Sequence, residues 1–453
     1  MAEYETLRAR HAQQAGELIA EHQQRIMWNA DRLRAEREAR LRAFIRMAKE
    51  ASPWHGQRLA HIDPDTMTEA DFSSIPPMTK DDLMENFDGI LTDRRLSRSI
   101  VEAHLDSLED DSYLLDEFHA VASGGSSGTR GVFVYDWDGW LHCRLMLMRF
   151  GMHHQLRDPE FGLRPVVAWV AAGKATHMTY AMARTFGAGV GVVSIPATLP
   201  LREIVARLNE LRPEVLAGYP SMLYPLAGEA RAGRLKIKPR LLRPGSEPLL
   251  PEMRAALEEA WSCPIINIYG TSEGASASSC GQSRGMHLNE DLVIFEMVDA
   301  AGNAVPPGVR AAKMYITNLF NRAEPLIRYE LTDETTVIAE PCPCGSAMRR
   351  IDDIEGRSDD VFTYTGGVVA HPLIFRSRLG HEREIVEYQV SQTPRGASIT
   401  IRTQGDVDTT SLANALEAEL LRLGLPEPSV TVEIVDGFDR QKTGKLKRFL
   451  PLS

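Results

Sequence analysis

The chain has 453 residues, of which 43% are hydrophobic and 25% charged, and a formal net charge of -11. That length exceeds what one hydrophobic core covers, so two or three domains are expected, and the composition excludes a disordered or fibrous chain. The anionic balance argues against a nucleic-acid partner, whose phosphates it would repel, and no apolar run approaches the ~18 residues of a membrane span.

The start, Met1-Ala-Glu-Tyr-Glu5, shows no secretory pattern, and five cysteines suit a reducing cytoplasm better than a disulfide scaffold. Residues 3–50 are rich in Glu, Arg, Gln and Ala and lack proline. They predict one or two amphipathic helices, packed on the body or on a second subunit, which makes a homodimer an expectation. Their arginines alternate with glutamates, the pattern of a solvated face rather than of a DNA or membrane surface. Ser52-Pro53 ends this region. Thr79 reads as the cap of a helix beginning near Lys80, with Asp81 and Asp82 in its first turn.

The stretch Ala122-Ser-Gly-Gly-Ser-Ser-Gly-Thr-Arg-Gly131 holds four glycines and no large apolar residue. Before the strand-like Val132-Phe-Val-Tyr135, it can aim backbone N–H groups and hydroxyls at one anion. It matches neither common nucleotide fingerprint, and alone it would equally be a flexible linker. Trp137–Phe150 reads as a buried helix. Residues 165–260 then alternate: strands at Pro165–Val170, Val190–Ile195 and Glu214–Ala217, helices at Thr179–Phe186, Leu201–Leu211, Ser221–Ala232 and Leu250–Ala260. This predicts a layered α/β body with a mainly parallel sheet and a ligand beyond the strands' carboxyl ends.

Cys263–Tyr269 reads as a strand running into Gly270-Thr-Ser-Glu-Gly274, which delivers hydroxyls and one carboxylate at a sharp bend. Beside a polyphosphate such a set suits Mg2+, a hard cation. Residues 290–340 read as β hairpins, with strands at Val293–Val298 and Lys313–Thr317. Beyond Arg357-Ser-Asp-Asp360, strands at Glu387–Ser391, Ser398–Thr403 and Ser429–Asp436 flank a helix at Thr410–Leu423, a small α+β domain. The expected class is therefore α/β: a large layered body with a β-rich subdomain, plus a small, mobile α+β C-terminal domain. The expected boundaries are 1–50, 51–356 and 357–453. Cys342-Pro-Cys-Gly345 places two thiols on a tight turn, and Cys280 and His287 upstream would complete four ligands for a structural zinc ion.

Taken together, these motifs resemble the adenylate-forming superfamily of acyl-CoA synthetases, most closely its phenylacetate–CoA ligase-like branch. Six segments carry the resemblance in order: Gly124-Gly-Ser-Ser-Gly-Thr129, Gly245-Ser-Glu-Pro248, Tyr269-Gly-Thr-Ser-Glu-Gly274, Glu324-Pro-Leu-Ile-Arg-Tyr329 with Asp333, Gly356-Arg-Ser-Asp-Asp360 and Lys442-Thr-Gly-Lys445. Ser52-Pro-Trp54 and Pro77-Met-Thr-Lys80 share the branch's flavour, so the resemblance spans about residues 45–450. Two departures stand out. Arg130 occupies the place of the loop's usual lysine, and Asp333 lacks the common preceding glycine.

The resemblance implies ATP-dependent activation of a carboxylic acid to an acyl-adenylate with release of pyrophosphate, then transfer to CoA. Ser126, Ser127, Gly128, Thr129 and Arg130 would hold the β- and γ-phosphates. Thr271 would touch the α-phosphate, and Glu273 would ligate Mg2+. Gly245, Ser246, Glu247, Tyr269 and Gly270 would frame the nucleotide, with Glu247 by the adenine and Asp333 on the ribose. Arg357 would contact ribose or phosphate. Lys445 would bridge the attacking carboxylate and the α-phosphate, and Asp359 would be the hinge. The branch favours an aromatic acid, with His177 and Tyr219 as candidate pocket contacts, and relatives carry a Cys-rich turn near Cys342. Two rival readings are a synthetase passing the acyl group to an amine, alcohol or carrier thiol, and a non-catalytic binding relative. The near-complete set Glu273, Asp333, Arg357 and Lys445 argues against the second.

Overall fold

The computed structural model describes residues 2–122, 131–158, 161, 165–171, 175–187, 191–197, 199, 201–354, 362–366, 368–370, 373–379, 382, 384–438 and 446–452. Two long helices lead, α1 (Ala2–Arg25) and α2 (Ala30–Ala51), broken where Asn29 caps the second by accepting from Arg32 N. Both lie on the body of their own chain. Leu41, Phe44, Ile45 and Ala48 of α2 join a buried cluster with Ile294, Leu319 and Ile327. The apolar stripe that suggested a second subunit is thus covered within the chain. Four short helices follow: α3 (Pro53–Arg58), α4 (Lys80–Glu85), α5 (Phe87–Ile90) and α6 (Arg98–Ser107). Thr79 caps α4 as expected, in a reciprocal capping box with Asp82.

Strands β1 (His119–Ala122) and β2 (Val132–Tyr135) form an antiparallel pair on either side of the Gly/Ser stretch. Helix α7 (Trp137–Leu156) is capped by Asp136, whose carboxylate accepts from Gly139 N. A parallel sheet in the order β4-β3-β5-β6 follows, from β3 (Val167–Ala171), β4 (Val192–Pro196), β5 (Val215–Gly218) and β6 (Leu241–Pro244). Helices α8 (Met178–Gly187), α9 (Leu201–Leu211), α10 (Pro220–Arg231) and α11 (Pro251–Trp261) alternate with these strands. The expected elements are reproduced to within two residues, and β6 is an additional strand that the sequence reading lacked. Strands β3, β5 and β6 are largely buried, whereas the edge strand β4 exposes Val193 and Ser194.

The expected strand Cys263–Tyr269 is shortened. Only β7 (Ile268–Gly270) is a strand, and Ile265 and Ile268 make isolated parallel bridges to Leu242 and Gly245 beside β6. Pro264 supplies no N–H donor, which limits the ladder at that end. From β7 the chain turns into antiparallel pairing. The six-stranded order β11-β14-β15-β9-β8-β7 uses β8 (Ser276–Ser278), β9 (Met286–Leu288), β11 (Arg310–Ala311), β14 (Thr335–Ile338) and β15 (Arg350–Ile351). A second sheet, β10-β12-β13, joins β10 (Val293–Val298), β12 (Lys313–Asn318) and β13 (Tyr329–Leu331). After β16 (Phe362–Thr363), β17 (Val369–Ala370) and α12 (Leu373–Leu379), the C-terminal sheet is ordered β20-β19-β18-β21. It comprises β18 (Ile385–Thr393), β19 (Gly396–Thr403), β20 (Ser429–Ile434) and β21 (Phe449–Leu450), with α13 (Thr409–Arg422) against it. This sheet has its own core around Phe375, Tyr388, Ile399, Leu416 and Phe449.

One buried ion pair anchors α7. Arg149 and Asp291 are both fully buried and meet in a two-pronged contact, Nη1–Oδ2 2.9 Å and Nη2–Oδ1 2.6 Å. Arg149 Nε also donates to Asn289 Oδ1 at 2.7 Å, and Arg25 of α1 reaches Asp291 at 3.4 Å. Burial alone would raise the Asp291 carboxyl. The charge and hydrogen bonds of Arg149, with help from Arg25, hold it below the usual carboxylate range. Asp291→Ala leaves the buried Arg149 guanidinium without its counter-ion, while Arg25 keeps Glu21 at 2.6 Å, so a loss of about 3–5 kcal/mol is expected in urea unfolding. A change under about 1 kcal/mol would contradict this role for the pair.

Candidate active site

The turn after β7 is held from both sides. Thr271 N donates to Ala275 O at 3.0 Å, and Ala275 N donates back to Thr271 Oγ1 at 3.3 Å. Tyr135 of β2 donates its hydroxyl to Ser272 O at 2.7 Å, and Asn318 of β12 donates to Glu273 O at 3.1 Å. Gly274 closes the turn with φ +93°, a left-handed conformation that side chains rarely adopt. A Cβ there would sit 2.8 Å from Phe320 Cζ.

Glu273 is 7% exposed, and among the described residues its carboxylate has no hydrogen-bond or ion-pair partner. A buried carboxylate of this kind is costly unless a cation completes it. Tyr269 donates its hydroxyl to Asp333 Oδ2 at 2.7 Å, which brings β7 and the turn between β13 and β14 together. Arg328, in the segment before Asp333, is committed to structure. It has φ +53° and grips Glu296 through Nε–Oε2 3.0 Å and Nη2–Oε1 2.9 Å.

Gly245 and Ser246 follow β6, and Ser246 holds φ +64°, a strained value for a residue with a side chain. Glu247 accepts from Ser221 N at 3.0 Å, while its other oxygen is buried with no partner among the described residues. Gly245 and Ser246, with Thr271 and Ser272, line a cleft of about 120 Å³. Its walls include Trp169, Met178, Met182 and Ile268, with His177 and Tyr219 as expected from the order of motifs. The parallel strands β3, β5 and β6 all end at this cleft, the usual ligand position in such sheets.

Two cleft residues escaped the sequence reading, Arg144 of α7 and Arg243 of β6. Each has other cations nearby in sequence, Arg149 after Arg144 and Arg240 before Arg243, so the sequence offered no distinct signal. Burial pushes Arg144 down to about 10, and burial with the neighbouring charge of Arg144 pushes Arg243 down to about 9. Ser126, Ser127, Gly128, Thr129, Arg130, Arg357, Asp359 and Lys445 lie outside the described residues.

A second constellation lies on the β-rich side. One ligand atom from each of Cys280, His287, Cys342 and Cys344 falls within 4.8 Å of the other three. Cys280 Sγ and Cys342 Sγ are 3.6 Å apart, too far for a disulfide, and Cys344 Sγ is 3.4 Å from His287 Nε2. His287 Nδ1 is 3.0 Å from Met348 O. A carbonyl only accepts, so Nδ1 carries the proton and Nε2 turns its lone pair toward the thiols. Burial lowers His287 to about 4, which keeps the ring neutral. Burial, with the neighbouring thiols of Cys342 and Cys280, pushes Cys344 up to about 12.

No family model matches the chain. It is 29% identical over 234 residues to phenylacetate–coenzyme A ligase of Thermus thermophilus, a match covering 49% of this chain and 50% of that relative. It is 26% identical over 420 residues to phenylacetate–coenzyme A ligase of Escherichia coli, covering 87% of this chain and 85% of the relative. Protein CapK of Staphylococcus aureus is 22% identical over 396 residues, covering 84% and 81%. Among solved structures, 2-hydroxyisobutyryl-CoA ligase in its postadenylation state gives a TM-score of 0.71 at 19% identity, covering 94% of this chain and 91% of that one.

The pinned turn yields a test. Gly274→Ala is expected to lower stability by about 1–3 kcal/mol, since it adds both a strained φ and a clash with Phe320. A neutral result in a denaturant titration would mean that the turn is not held as described. The chain is thus similar to phenylacetate–CoA ligases over most of its length and shares its fold with 2-hydroxyisobutyryl-CoA ligase.

Proposed function

We propose that the cleft activates a carboxylic acid with ATP to an acyl-adenylate, releasing pyrophosphate, and then passes the acyl group to the thiol of CoA. The observation that carries this reading is convergence. Ser246 and Thr271, from separate parts of the chain, both line a cleft whose remaining wall is largely apolar. Glu273 follows the lining residue Ser272, and Asp333 accepts from Tyr269, which stands between the lining residues Ile268 and Gly270. That polarity suits a nucleotide at one end and an acyl body at the other.

In this mechanism the chain's task is positioning two anions and stabilising charge on the α-phosphate. Thr271 offers its hydroxyl to an α-phosphate oxygen. Asp333, steadied by Tyr269, accepts the ribose hydroxyls, and Glu247 lies beside the adenine. Ser126 to Arg130 cradle the outer phosphates, with Arg130 supplying the charge that a lysine brings in related loops. Glu273 fits a divalent ion, because its buried carboxylate needs a cation; Mg2+ bound there would neutralise charge on the phosphates. Lys445 places its ammonium between the acid and the α-phosphate, and Arg357 supports the nucleotide. We further propose that residues 357–453 act as a lid that swings about Asp359 between the two half-reactions. Lys445→Ala is expected to depress ATP–pyrophosphate exchange by about 10²–10³-fold. Asp359→Pro is expected to spare exchange and slow thioester formation. Normal exchange in Lys445→Ala, or equal loss of both steps in Asp359→Pro, would contradict these roles.

The thiol cluster is proposed to hold one structural zinc ion. With bonds of about 2.3 Å to sulfur and about 2.0 Å to nitrogen, a tetrahedral site separates S from S by roughly 3.8 Å and S from N by roughly 3.5 Å. The separations of 3.6 and 3.4 Å match that geometry, and the Met348 carbonyl fixes the imidazole as outer partners of metal ligands do. Dialysed protein is expected to contain one zinc per chain and to melt at lower temperature after chelation. No bound metal, with melting indifferent to chelator, would remove the assignment.

A further inference from the structure

The chain shows how it treats a buried guanidinium when the role is structural. Arg149 is matched by Asp291 and Asn289, and Arg328 by Glu296. Arg144 and Arg243 are treated differently. Arg144 is 8% exposed and, among the described residues, makes no hydrogen bond or ion pair; its charged end lies 5.7 Å from the Phe186 ring. Arg243 is 3% exposed and, among the described residues, bonds only Leu147 O, at 3.2 Å, and Met148 Sδ, at 3.0 Å. Its Nε is buried with no partner. No carboxylate among the described residues pairs with either.

Two like charges buried within electrostatic reach of one another without a counter-ion are expensive, and replacing them by apolar side chains would relieve that cost. An anion supplied from outside would relieve it too. Both arginines line the cleft. Arg144, Leu147 and Met148 share one face of α7, at i, i+3 and i+4. Leu147 abuts Gly270 at the proposed nucleotide end, where a Cβ would lie 2.8 Å from its Cδ2. Arg144 is one turn earlier, and helical side chains lean toward the helix N-terminus, so its charge lies on the Phe186 side of Leu147.

We infer that the acid taken by this cleft carries a second anionic group, which Arg144 and Arg243 bind while the first carboxylate is activated. This inference rests on the adenylation reading and narrows its substrate class. The body between the two anions is apolar or aromatic, since it passes Trp169, Met178, Met182 and Ile268. A second carboxylate fits best the planar, forked geometry of guanidinium donors, with sulfonate and phosphonate as the other members of the class.

The test compares matched pairs that differ only in the second charge: 4-carboxyphenylacetate against 4-methylphenylacetate, and pimelate against heptanoate. Sulfonate and phosphonate analogues of the first acid separate the members of the class. In ATP–pyrophosphate exchange the dianion is expected to have the higher kcat/KM by about 10²-fold or more, because a neutral rival leaves two buried donors unmade. Arg144→Met keeps the stem without the charge, and the ratio should collapse toward one. Melting temperature gives an independent reading. The dianions should raise it in wild type more than their neutral partners do, and Arg144→Met should lose that difference while melting no lower than wild type without ligand. Equal kcat/KM or equal thermal shifts within the pairs overturn the inference and leave adenylation standing. A dianion-specific thermal shift without any exchange supports the anion subsite and counts against adenylation instead.

Discussion

The carboxylate of Asp291 fixes the part of the molecule on which the cleft depends. It sits between β9 and β10 and receives Arg149 from α7 and Arg25 from α1. Asn289, two residues earlier, binds Arg149 and also donates to Ser276 Oγ of β8 at 2.8 Å. One polar knot therefore ties the long wall helix of the cleft, the N-terminal helix and the antiparallel sheet. With the C-terminal half of α7 held in this way, Arg144, Leu147 and Met148 line the cleft in a fixed register. The N-terminal end of α7 is fixed separately by the Asp136 cap.

The two polar sites differ in how their charges are balanced, and this separates scaffold from function. In the Asp291 knot every formal charge meets its opposite within the protein. Beside the cleft Glu273 lacks a cation, and in its lining Arg144 and Arg243 lack an anion, among the described residues. A protein that buries such groups pays in stability unless a ligand completes them. The thiol cluster belongs with the scaffold. It closes four donors around one point and sits behind β9 and β15, where His287 stacks on Phe150 of α7 at 5.1 Å.

Much of this was legible in the sequence, for identifiable reasons. Leu201–Leu211 and Val293–Val298 fell where periodicity put them, because their apolar pattern and their burial are the same fact. The grouping of Cys280 and His287 with Cys342 and Cys344 was readable because few residue types ligate soft metals. Short strands such as β11 and β15 carry two residues each, too few for any period to show. Cys263–Tyr269 looked like a full strand because its hydrophobicity reports burial, whereas pairing depends on neighbours that the sequence does not reveal. Arg144 and Arg243 were missed because an arginine with other arginines nearby usually meets a carboxylate, and only the packing shows that, among the described residues, these meet none. The Gly/Ser stretch, Arg357, Asp359 and Lys445 keep their sequence-derived roles as proposals.

The most direct test of the account follows the oxygen atoms. The acid, labelled with 18O in its carboxylate to be activated, is incubated with ATP, Mg2+ and CoA, and the products are analysed by mass spectrometry. Attack of that carboxylate on the α-phosphorus leaves the bridging oxygen with AMP when the thiol takes the acyl group. One 18O in AMP and none in pyrophosphate is the expected result. Label in inorganic phosphate with ADP as product, or thioester formation with unlabelled AMP, would contradict an adenylate at this site.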